Sequence, residues 1–411
     1  MKERLKAPEL RFPGFTDDWE ERKLIDLATT YIGLVTTMTE NYTNKGTLLI
    51  RNSDIKEGRF DLSNPIYLEE QFAEENKTRR MRKGDVVTVH TGDIGTSAMI
   101  NSELDGAIGF ATITTRPTKE LDSNFLAWYF NSNYHKKYAK RMSTGDGRSN
   151  YNMKDFNKNV IPTPQIDEQQ KIGAFFKQLD DTIALHQRKL DLLKEQKKGY
   201  LQKMFPKNGA KVPELRFAGF ADDWEEHKVS EITDFHKQGF YTKESYNENK
   251  KYYLLRGTDM TSNKLILKDT PKINASEKDY EDFKVLKDDF LIVRSGTVGT
   301  YAIVKSDITA IFGSYLINFR FNQSIVLNEF FGLFYQSSLF KSQLNKIIQK
   351  SSNVNINAEN IKSTNIKFPT IEEQQKIGAF FQSIDDTIAL HQRKLDLLKE
   401  QKKGFLQQMF I

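Results

Sequence analysis

The chain has 411 residues, which is enough for at least two domains with separate hydrophobic cores. It contains no cysteine, which excludes disulfides and thiolate metal sites, and its six histidines lack metal-ligand spacing. The formal net charge of +6 favours an anionic partner, whereas the absence of long apolar runs and of a signal-peptide core predicts a cytoplasmic protein without a membrane span.

A short opening block comes first along the chain, at residues 8–24. Apolar runs at 46–55, 84–92 and 110–115 then predict strands. An aromatic-rich segment at 124–142 predicts a helix. Strands followed by one helix favour a compact α+β domain over residues 1–168.

A long helix is predicted over residues 169–205, because apolar residues recur there at alternating spacings of four and three. At 1.5 Å per residue such a helix is about 54 Å long. Polar residues interrupt the apolar seam at His186 and Lys197, and such residues can fix the register of a helix pair or mark a docking site. The predicted seam residues of this helix are Phe176, Leu179, Ile183, Leu190 and Leu193.

The same plan then repeats at an offset of 205 residues. A connection at 206–212 leads to a second opening block at 213–229, and a second variable segment completes residues 206–373. A second helix over 374–411 matches the first at 32 of 37 aligned positions. Its predicted seam residues are Phe381, Ile384, Ile388, Leu395 and Leu398.

Two similar α+β domains and two long helices therefore form a pseudo-two-fold internal repeat. We predict that the helices bury their apolar stripes against each other. Homodimeric DNA-binding proteins read palindromic sites through two-fold symmetry, with half-sites about 34–36 Å apart. Two divergent copies in one chain would allow the two half-sites to differ.

The positive charge is concentrated on the repeated helices. Lys and Arg against Asp and Glu number 24 to 25 in residues 1–168 and 23 to 22 in 206–373, but 8 to 4 and 6 to 4 in the two helices. The neutral variable segments imply weak DNA binding by the chain alone, with partner subunits supplying many phosphate contacts.

Polar residues at equivalent places in the two units are candidates for base and phosphate contacts, because Arg, Asn, Ser and Thr read base edges and Lys and Arg bind phosphates. For each one, an ordinary surface or turn role is an equal alternative, and the recurrence with changed side chains favours recognition. The candidates are Arg51, Asn52, Ser53, Arg79, Arg80, Arg82, His90, Thr91, Arg148, Asn150 and Asn152 in the first unit, and Arg256, Thr258, Arg294, Ser295, Asn353 and Asn355 in the second.

Motifs for catalysis are missing from the sequence. No Gly-Lys dipeptide occurs, which excludes a Walker A loop, and residues 64–67 only partly resemble the Asn-Pro-Pro-aromatic motif of DNA amino-methyltransferases. Glu-x-Lys strings at 195–197 and 400–402 lie on the predicted helices without partner carboxylates, so a solvated helix face is the better interpretation. We therefore predict a chain without catalytic residues or a metal site.

The opening blocks, the helix entries at 161–176 and 368–381, and the repeated LDLLKEQKKG resemble the specificity subunit of type I restriction–modification enzymes over nearly the full length. The resemblance implies that residues 1–168 and 206–373 are target-recognition domains, each reading one half of a bipartite, asymmetric sequence in double-stranded DNA. It implies that helices 169–205 and 374–411 form an antiparallel coiled coil that sets the gap between the halves.

The resemblance also implies partners. Two methyltransferase subunits would bind the helices, and restriction subunits with motor and nuclease activity would join them. S-adenosylmethionine, ATP and magnesium would be bound by those partners, and this chain would bind none of them. The alternative is a coiled-coil scaffold that holds two protein-binding domains, which would show no DNA sequence preference.

Overall fold

The computed structural model describes residues 7–35, 39–143, 150–207, 209–243, 245–247, 249–261, 263–294, 300–348 and 356–411. The chain divides into two compact units. The first unit comprises residues 1–189 and 391–411, and the second comprises 190–390. Each unit therefore contains one variable segment and one end of each long helix. No described helix is both long and apolar enough to cross a membrane.

The variable segment of the first unit combines short strands with short helices. Its strands are β1 (Glu20–Lys23), β2 (Ala28–Ile32), β3 (Tyr42–Thr43), β4 (Thr47–Arg51), β5 (Ile55–Lys56), β6 (Arg59–Phe60), β7 (Ile66–Leu68), β8 (Val86–Val89), β9 (Ser97–Met99), β10 (Ile108–Phe110), β11 (Thr112–Pro117) and β12 (Val160–Thr163). Its helices are α1 (Leu24–Leu27), α2 (Glu70–Glu75), α3 (Ser123–Asn131), α4 (Asn133–Met142) and α5 (Met153–Phe156), and the long helix α6 (Ile166–Lys203) follows.

The second unit repeats this order. Its strands are β13 (Glu225–Lys228), β14 (Thr233–Gln238), β15 (Tyr252–Leu255), β16 (Met260–Thr261), β17 (Lys264–Leu265), β18 (Lys272–Ile273), β19 (Phe290–Val293), β20 (Tyr301–Ile303), β21 (Ala310–Phe312), β22 (Leu316–Phe321) and β23 (Asn365–Phe368). Its helices are α7 (Glu277–Phe283), α8 (Asn328–Gln336), α9 (Ser338–Ile348), α10 (Ala358–Lys362) and the long helix α11 (Ile371–Gln408).

Sheet topology shows that the two variable segments share one fold. The strand order β2-β11-β8-β9 in the first unit corresponds to β14-β22-β19-β20 in the second. A second sheet, β10-β4-β7-β3, corresponds to β21-β15-β18, and both contain one parallel pair, β10 with β4 and β21 with β15. The predicted α+β class and internal repeat are confirmed.

The single helix predicted in each variable segment is two helices in the structure. Ser132 separates α3 from α4, because its extended backbone ends the first helix and its hydroxyl accepts a hydrogen bond from the His135 N–H at 3.3 Å. Ser337 separates α8 from α9 and accepts the Phe340 N–H at 3.2 Å. The correction follows from helix capping, since a serine side chain at an N-cap replaces the missing backbone acceptor.

The repeated opening blocks anchor the long helices. The Arg11 guanidinium makes a bidentate ion pair with Glu168 in the first turn of α6, with N–O distances of 2.8 and 2.7 Å. The backbone N–H of Leu10 donates to the carbonyl of Gln408, the last residue of α11. In the second unit, Arg216 pairs with Glu373 at 2.8 Å, and Leu215 N–H donates to the carbonyl of Lys203.

Aromatic residues of the same blocks enter the hydrophobic cores. Trp19 packs edge-on against Phe125 of α3, with ring centroids 5.8 Å apart, and Trp224 packs against Phe330 of α8 at 5.6 Å. Each core also includes a phenylalanine two residues beyond the end of a long helix, Phe410 in the first unit and Phe205 in the second. The opening block is therefore repeated because in each unit it anchors a long helix and contributes to the hydrophobic core.

Candidate nucleic-acid interface

Arg51 ends β4 and brackets the 3-10 turn Asn52–Asp54. Its guanidinium donates to both carboxylate oxygens of buried Asp54 at 2.9 and 2.6 Å, and the Arg51 backbone N–H donates to the same group at 2.8 Å. The side-chain hydrogen bond to Asp54 raises the pKa of Arg51. This arginine therefore holds its own turn in shape.

Arg256 makes the same hydrogen bonds across the turn at the end of β15. Its guanidinium donates to Asp259 at 3.3 and 3.0 Å and to the carbonyl of Asp269 at 3.0 Å. The matching contacts give both arginines a structural function. Base contact by Arg51 or Arg256 stays a prediction, and it would require a guanidinium hydrogen that these bonds leave free.

Four candidates of the first unit lie together where β8 ends. The Asn52 side-chain carbonyl accepts the backbone N–H of His90 at 2.9 Å, while its amide donates to the carbonyl of Ala111 at 3.0 Å. The Thr91 hydroxyl lies 2.9 Å from Nδ1 of His90 and donates to the side chain of exposed Asn150 at 2.8 Å. Burial lowers the pKa of His90, which favours its neutral form. We refer to Asn52, His90, Thr91 and Asn150 as the β8 cluster.

The corresponding place in the second unit, at the end of β19, carries Arg294. Its backbone N–H donates to the carbonyl of Tyr315 at 3.0 Å, and its carbonyl accepts the N–H of Ile356, just as His90 accepts that of Tyr151. Within the described part of the chain, the Arg294 guanidinium has no carboxylate partner. Thr258, in the turn after β15, is exposed.

Arg79, Arg80 and Arg82, three neighbouring candidates for phosphate contacts, have different environments in the structure. Arg79 donates to the carbonyl of Ile32, and Arg80 binds Glu70 and the Thr47 hydroxyl, so both have partners inside the domain. Arg82 is exposed, and the described residues give its side chain no ion pair. Ser53 is exposed as well.

Asn152 caps α5, because its side-chain oxygen accepts the Asp155 N–H at 3.0 Å. Asn357 caps α10 in the same way, accepting the Asn360 N–H at 2.7 Å. This recurrence accounts for Asn152 structurally. Four further candidates, Arg148, Ser295, Asn353 and Asn355, lie outside the described residues.

Sequence reasoning missed large exposed side chains beside these clusters. Val35 follows the bridge between Leu34 and Phe110, and Tyr241 follows the equivalent bridge between Phe240 and Gly313. Tyr315, whose carbonyl binds Arg294, is 68% exposed. The feature that could have pointed to Tyr315 is the connection that contains it, which is longer before β22 than the equivalent connection before β11. Apolar and aromatic groups at such sites can contact thymine methyl groups or bases.

The long helices pair antiparallel within each unit. In the first unit, Asp180 of α6 contacts Lys402 of α11 at 2.6 Å, and Nδ1 of His186 lies 3.0 Å from Nδ1 of its repeat equivalent, His391. In the second, Lys197 of α6 contacts Asp385 of α11 at 2.6 Å. Residue numbers rise along one helix as they fall along the other. The two seam histidines thus face each other, while each seam lysine pairs with an aspartate of the opposite helix, and this charge pair recurs at an offset of 205.

The seam and the outer face of the helices separate clearly. Leu190 and Leu395 are each only 1% exposed. Leu185 and Leu192 on α6, and their equivalents Leu390 and Leu397 on α11, are all more than half exposed. Leu185 and Leu192 are one heptad apart and therefore share a helix face.

A buried polar chain lies beneath the β8 cluster. Nδ1 of His135 lies 2.9 Å from the carbonyl of Phe130, Nε2 lies 3.5 Å from the Tyr151 hydroxyl, and Asn159 donates to that hydroxyl at 2.6 Å. Burial lowers the pKa of His135 to about 4. The second unit has Phe340 at the position of His135 and Ile356 at that of Tyr151, so only the first unit contains this chain.

We expect the stability of the first unit to fall as the pH drops from about 6.5 towards 4. The unfolded His135 binds a proton in that range, whereas the folded one stays neutral, so protonation favours unfolding. Each pKa unit is worth about 1.4 kcal/mol. Thermal unfolding across this pH range should show a smaller decline for His135→Phe, which copies the second unit, than for the natural chain. Equal slopes would contradict the assignment.

Comparison with known proteins agrees with this architecture. The sequence model of the family described as "Type I restriction modification DNA specificity domain" matches residues 16–195 and 221–400, once per unit. The chain belongs to this family. DNA sequence recognition is the role of the type I restriction modification DNA specificity domain, and the resemblance found in the sequence is confirmed.

Relatives extend over most of the chain. The putative type I restriction enzyme MjaX specificity subunit of Methanocaldococcus jannaschii is 23% identical over 412 residues, covering 95% of this chain and 92% of the relative. The type I restriction enzyme StySPI specificity subunit of Salmonella potsdam is 22% identical over 343 residues, covering 80% and 73%. The crystal structure of the S subunit of a type I restriction-modification system from M. genitalium has a TM-score of 0.64 at 15% identity, covering 98% and 99%. This structural likeness supports the fold.

Proposed function

We propose that this chain is the DNA-recognition subunit of a type I restriction–modification complex, and that each target-recognition domain reads one half of a bipartite, asymmetric site in the major groove. One observation carries the proposal. The two units share a fold, yet equivalent strand ends present His90 and Thr91 with Asn150 in one and Arg294 with Tyr315 in the other. A common scaffold with different polar groups suits two different half-sites.

The paired helices set the gap between the half-sites and dock two methyltransferase subunits. Each helix spans 38 residues, about 57 Å at 1.5 Å per residue. Each helix offers a docking face, with Leu185 and Leu192 on α6 and Leu390 and Leu397 on α11, because these exposed apolar residues recur at equivalent positions and are not used in the seam. Recurrence on both helices fits two copies of one partner.

Catalysis belongs to the partner subunits in this proposal. The described residues contain no group of three His, Cys, Asp or Glu side chains that could hold a metal ion. S-adenosylmethionine serves the methyltransferase subunits, and ATP and magnesium serve the restriction subunits with motor and nuclease activity. The complex works in the cytoplasm, where it meets the DNA.

Co-expression of the chain with its cognate methyltransferase subunit, followed by mapping of modified bases in the host DNA, tests the function. We expect one split motif with two different halves and a constant gap, lost when this chain is omitted. A complex that forms but modifies no defined motif would contradict the proposal and favour the protein-binding scaffold.

Arg294→Ala should relax only one half of the mapped motif. A lost side-chain contact to a base costs about 1–3 kcal/mol of discrimination, and the described residues offer this guanidinium no competing carboxylate. His90→Ala, at the equivalent strand end, is the matched variant and should relax only the other half. Relaxation of both halves by either substitution would refute the assignment of one domain to one half-site.

A further inference from the structure

The first unit contains a cleft of about 1210 Å³ between the β5–β6 hairpin and the long helices. Five of the cations that line it form no ion pair with a carboxylate among the described residues. Lys56 and Arg59 come from the hairpin, Arg188 from α6, and Lys399 and Lys403 from α11. Part of the positive charge of the two long helices therefore lines this cleft.

Carboxylates do not neutralise this cleft. Three of its four acidic residues have ion-pair partners, and these pairs are Asp180–Lys402, Asp181–Lys177 and Glu57–Lys136. The fourth, Glu103, is exposed at the rim. The base of the cleft is fixed, since the Lys402 ammonium also lies 4.3 Å from the centre of the Trp128 ring.

The equivalent cleft of the second unit is smaller, and its charged side chains have ion-pair partners of opposite sign. It measures about 430 Å³ and is lined by Lys264, Lys305, Glu329 and Asp385 together with apolar residues. Lys264 contacts Asp386 at 3.3 Å, Lys305 pairs with Glu329, and Asp385 pairs with Lys197. Arg188, Lys399 and Lys403 have identical counterparts in the other repeat, whereas Lys177 is replaced by Gln382. The difference therefore comes from that position, from the hairpin and from the width of the cleft.

The cationic cleft is linked to the candidate recognition surface. The ammonium of Lys56 donates to the carbonyl of Ser53, in the turn that follows β4, at 2.9 Å. Gly58, at the tip of the hairpin, has a φ of +72°, and a Cβ there would lie 2.4 Å from the Trp128 ring. The hairpin is therefore held in place between the turn and the base of the cleft.

We propose that this cleft binds backbone phosphates of the DNA next to the half-site read by the first unit, an inference that rests on the proposed function. Lys and Arg side chains that form no ion pair bind phosphates regardless of sequence, and they release counterions when they do so. The first unit thus supplies electrostatic anchoring that the second lacks, and the two half-sites contribute unequally to the salt dependence of binding.

The test uses the co-expressed methyltransferase complex and two duplexes of equal length, with and without the mapped motif. Lys399→Gln with Lys403→Gln is compared with Lys194→Gln with Lys198→Gln, the same residues of the other repeat. Gln keeps the helix propensity of Lys. We expect the first pair to reduce the slope of log K against log salt by about 1.8, since each phosphate contact contributes about 0.9, and the second pair to reduce it much less. Adding Arg59→Gln should remove about 0.9 more.

The methylated motif should stay unchanged in all these variants, because phosphate contacts carry no sequence information. Equal slopes for both pairs, with the motif intact, would overturn the inference and leave the proposed function standing. Loss of the methyltransferase subunits from the Lys399→Gln, Lys403→Gln complex would also overturn it, because it would show that the cleft binds an acidic segment of those subunits and not DNA. Absence of any motif for the natural complex would refute the proposed function itself.

Discussion

Leu190→Asp combined with Leu395→Asp should abolish the helix pair, and with it the constant gap and the assembled complex. Both leucines are 1% exposed in the seam, one in each unit. Each substitution removes an apolar side chain from the core and leaves a carboxylate without a partner, a class of change that costs more than about 4 kcal/mol. Circular dichroism, gel filtration and mapping of the methylated motif would measure the loss.

Leu192→Asp combined with Leu397→Asp is the matched control. These residues lie two positions further along the same helices, and each is 58% exposed. We expect stability to change by less than about 0.5 kcal/mol, while binding of the methyltransferase subunits is lost because both docking faces now carry charge. Normal assembly of this variant would show that the partners bind elsewhere, and destabilisation equal to that of the seam variant would refute the division between seam and outer face.

Arg11→Met should lower the stability of the first unit by about 3–5 kcal/mol, the cost of leaving one member of a buried ion pair alone. Glu168 is only 1% exposed, and Arg11 is 13% exposed. For a unit of about 200 residues, each kcal/mol shifts the melting temperature by about 2–4 °C. Thermal unfolding, with hydrogen exchange to locate the change, would measure the effect.

Two variants separate this effect from a general loss of charge. Arg11→Met with Glu168→Met should recover much of the stability, because no buried carboxylate is left unpaired. Arg22→Met breaks the exposed pair with Glu120 in the same opening block and should cost less than about 1 kcal/mol. Equal losses for Arg11→Met and Arg22→Met would contradict the anchoring role of the opening block.

Arg51 and Arg256 illustrate where sequence reasoning reached its limit. Their residue type and their position at the end of a strand suit base recognition. Each is followed three residues later by an aspartate, however, and the guanidinium donates hydrogen bonds to that carboxylate. The Arg-x-x-Asp spacing was visible in both units and signals a bracketed turn. His90 and Arg294 lie at equivalent strand ends, after β8 and β19, and the glycine-containing sequences that follow them align between the repeats.

The sequence alone determined the repeated plan of the protein, its α+β domains and its two long helices, because periodicity and near-identical repeats are local properties of the chain. Only the tertiary structure decided which polar side chains are engaged. Arg11 meets Glu168 from 157 positions away, Lys402 meets Asp180 from 222, and cations from the hairpin and both long helices line one cleft in the first unit. Such pairings depend on how whole elements pack, and no short stretch of sequence specifies them.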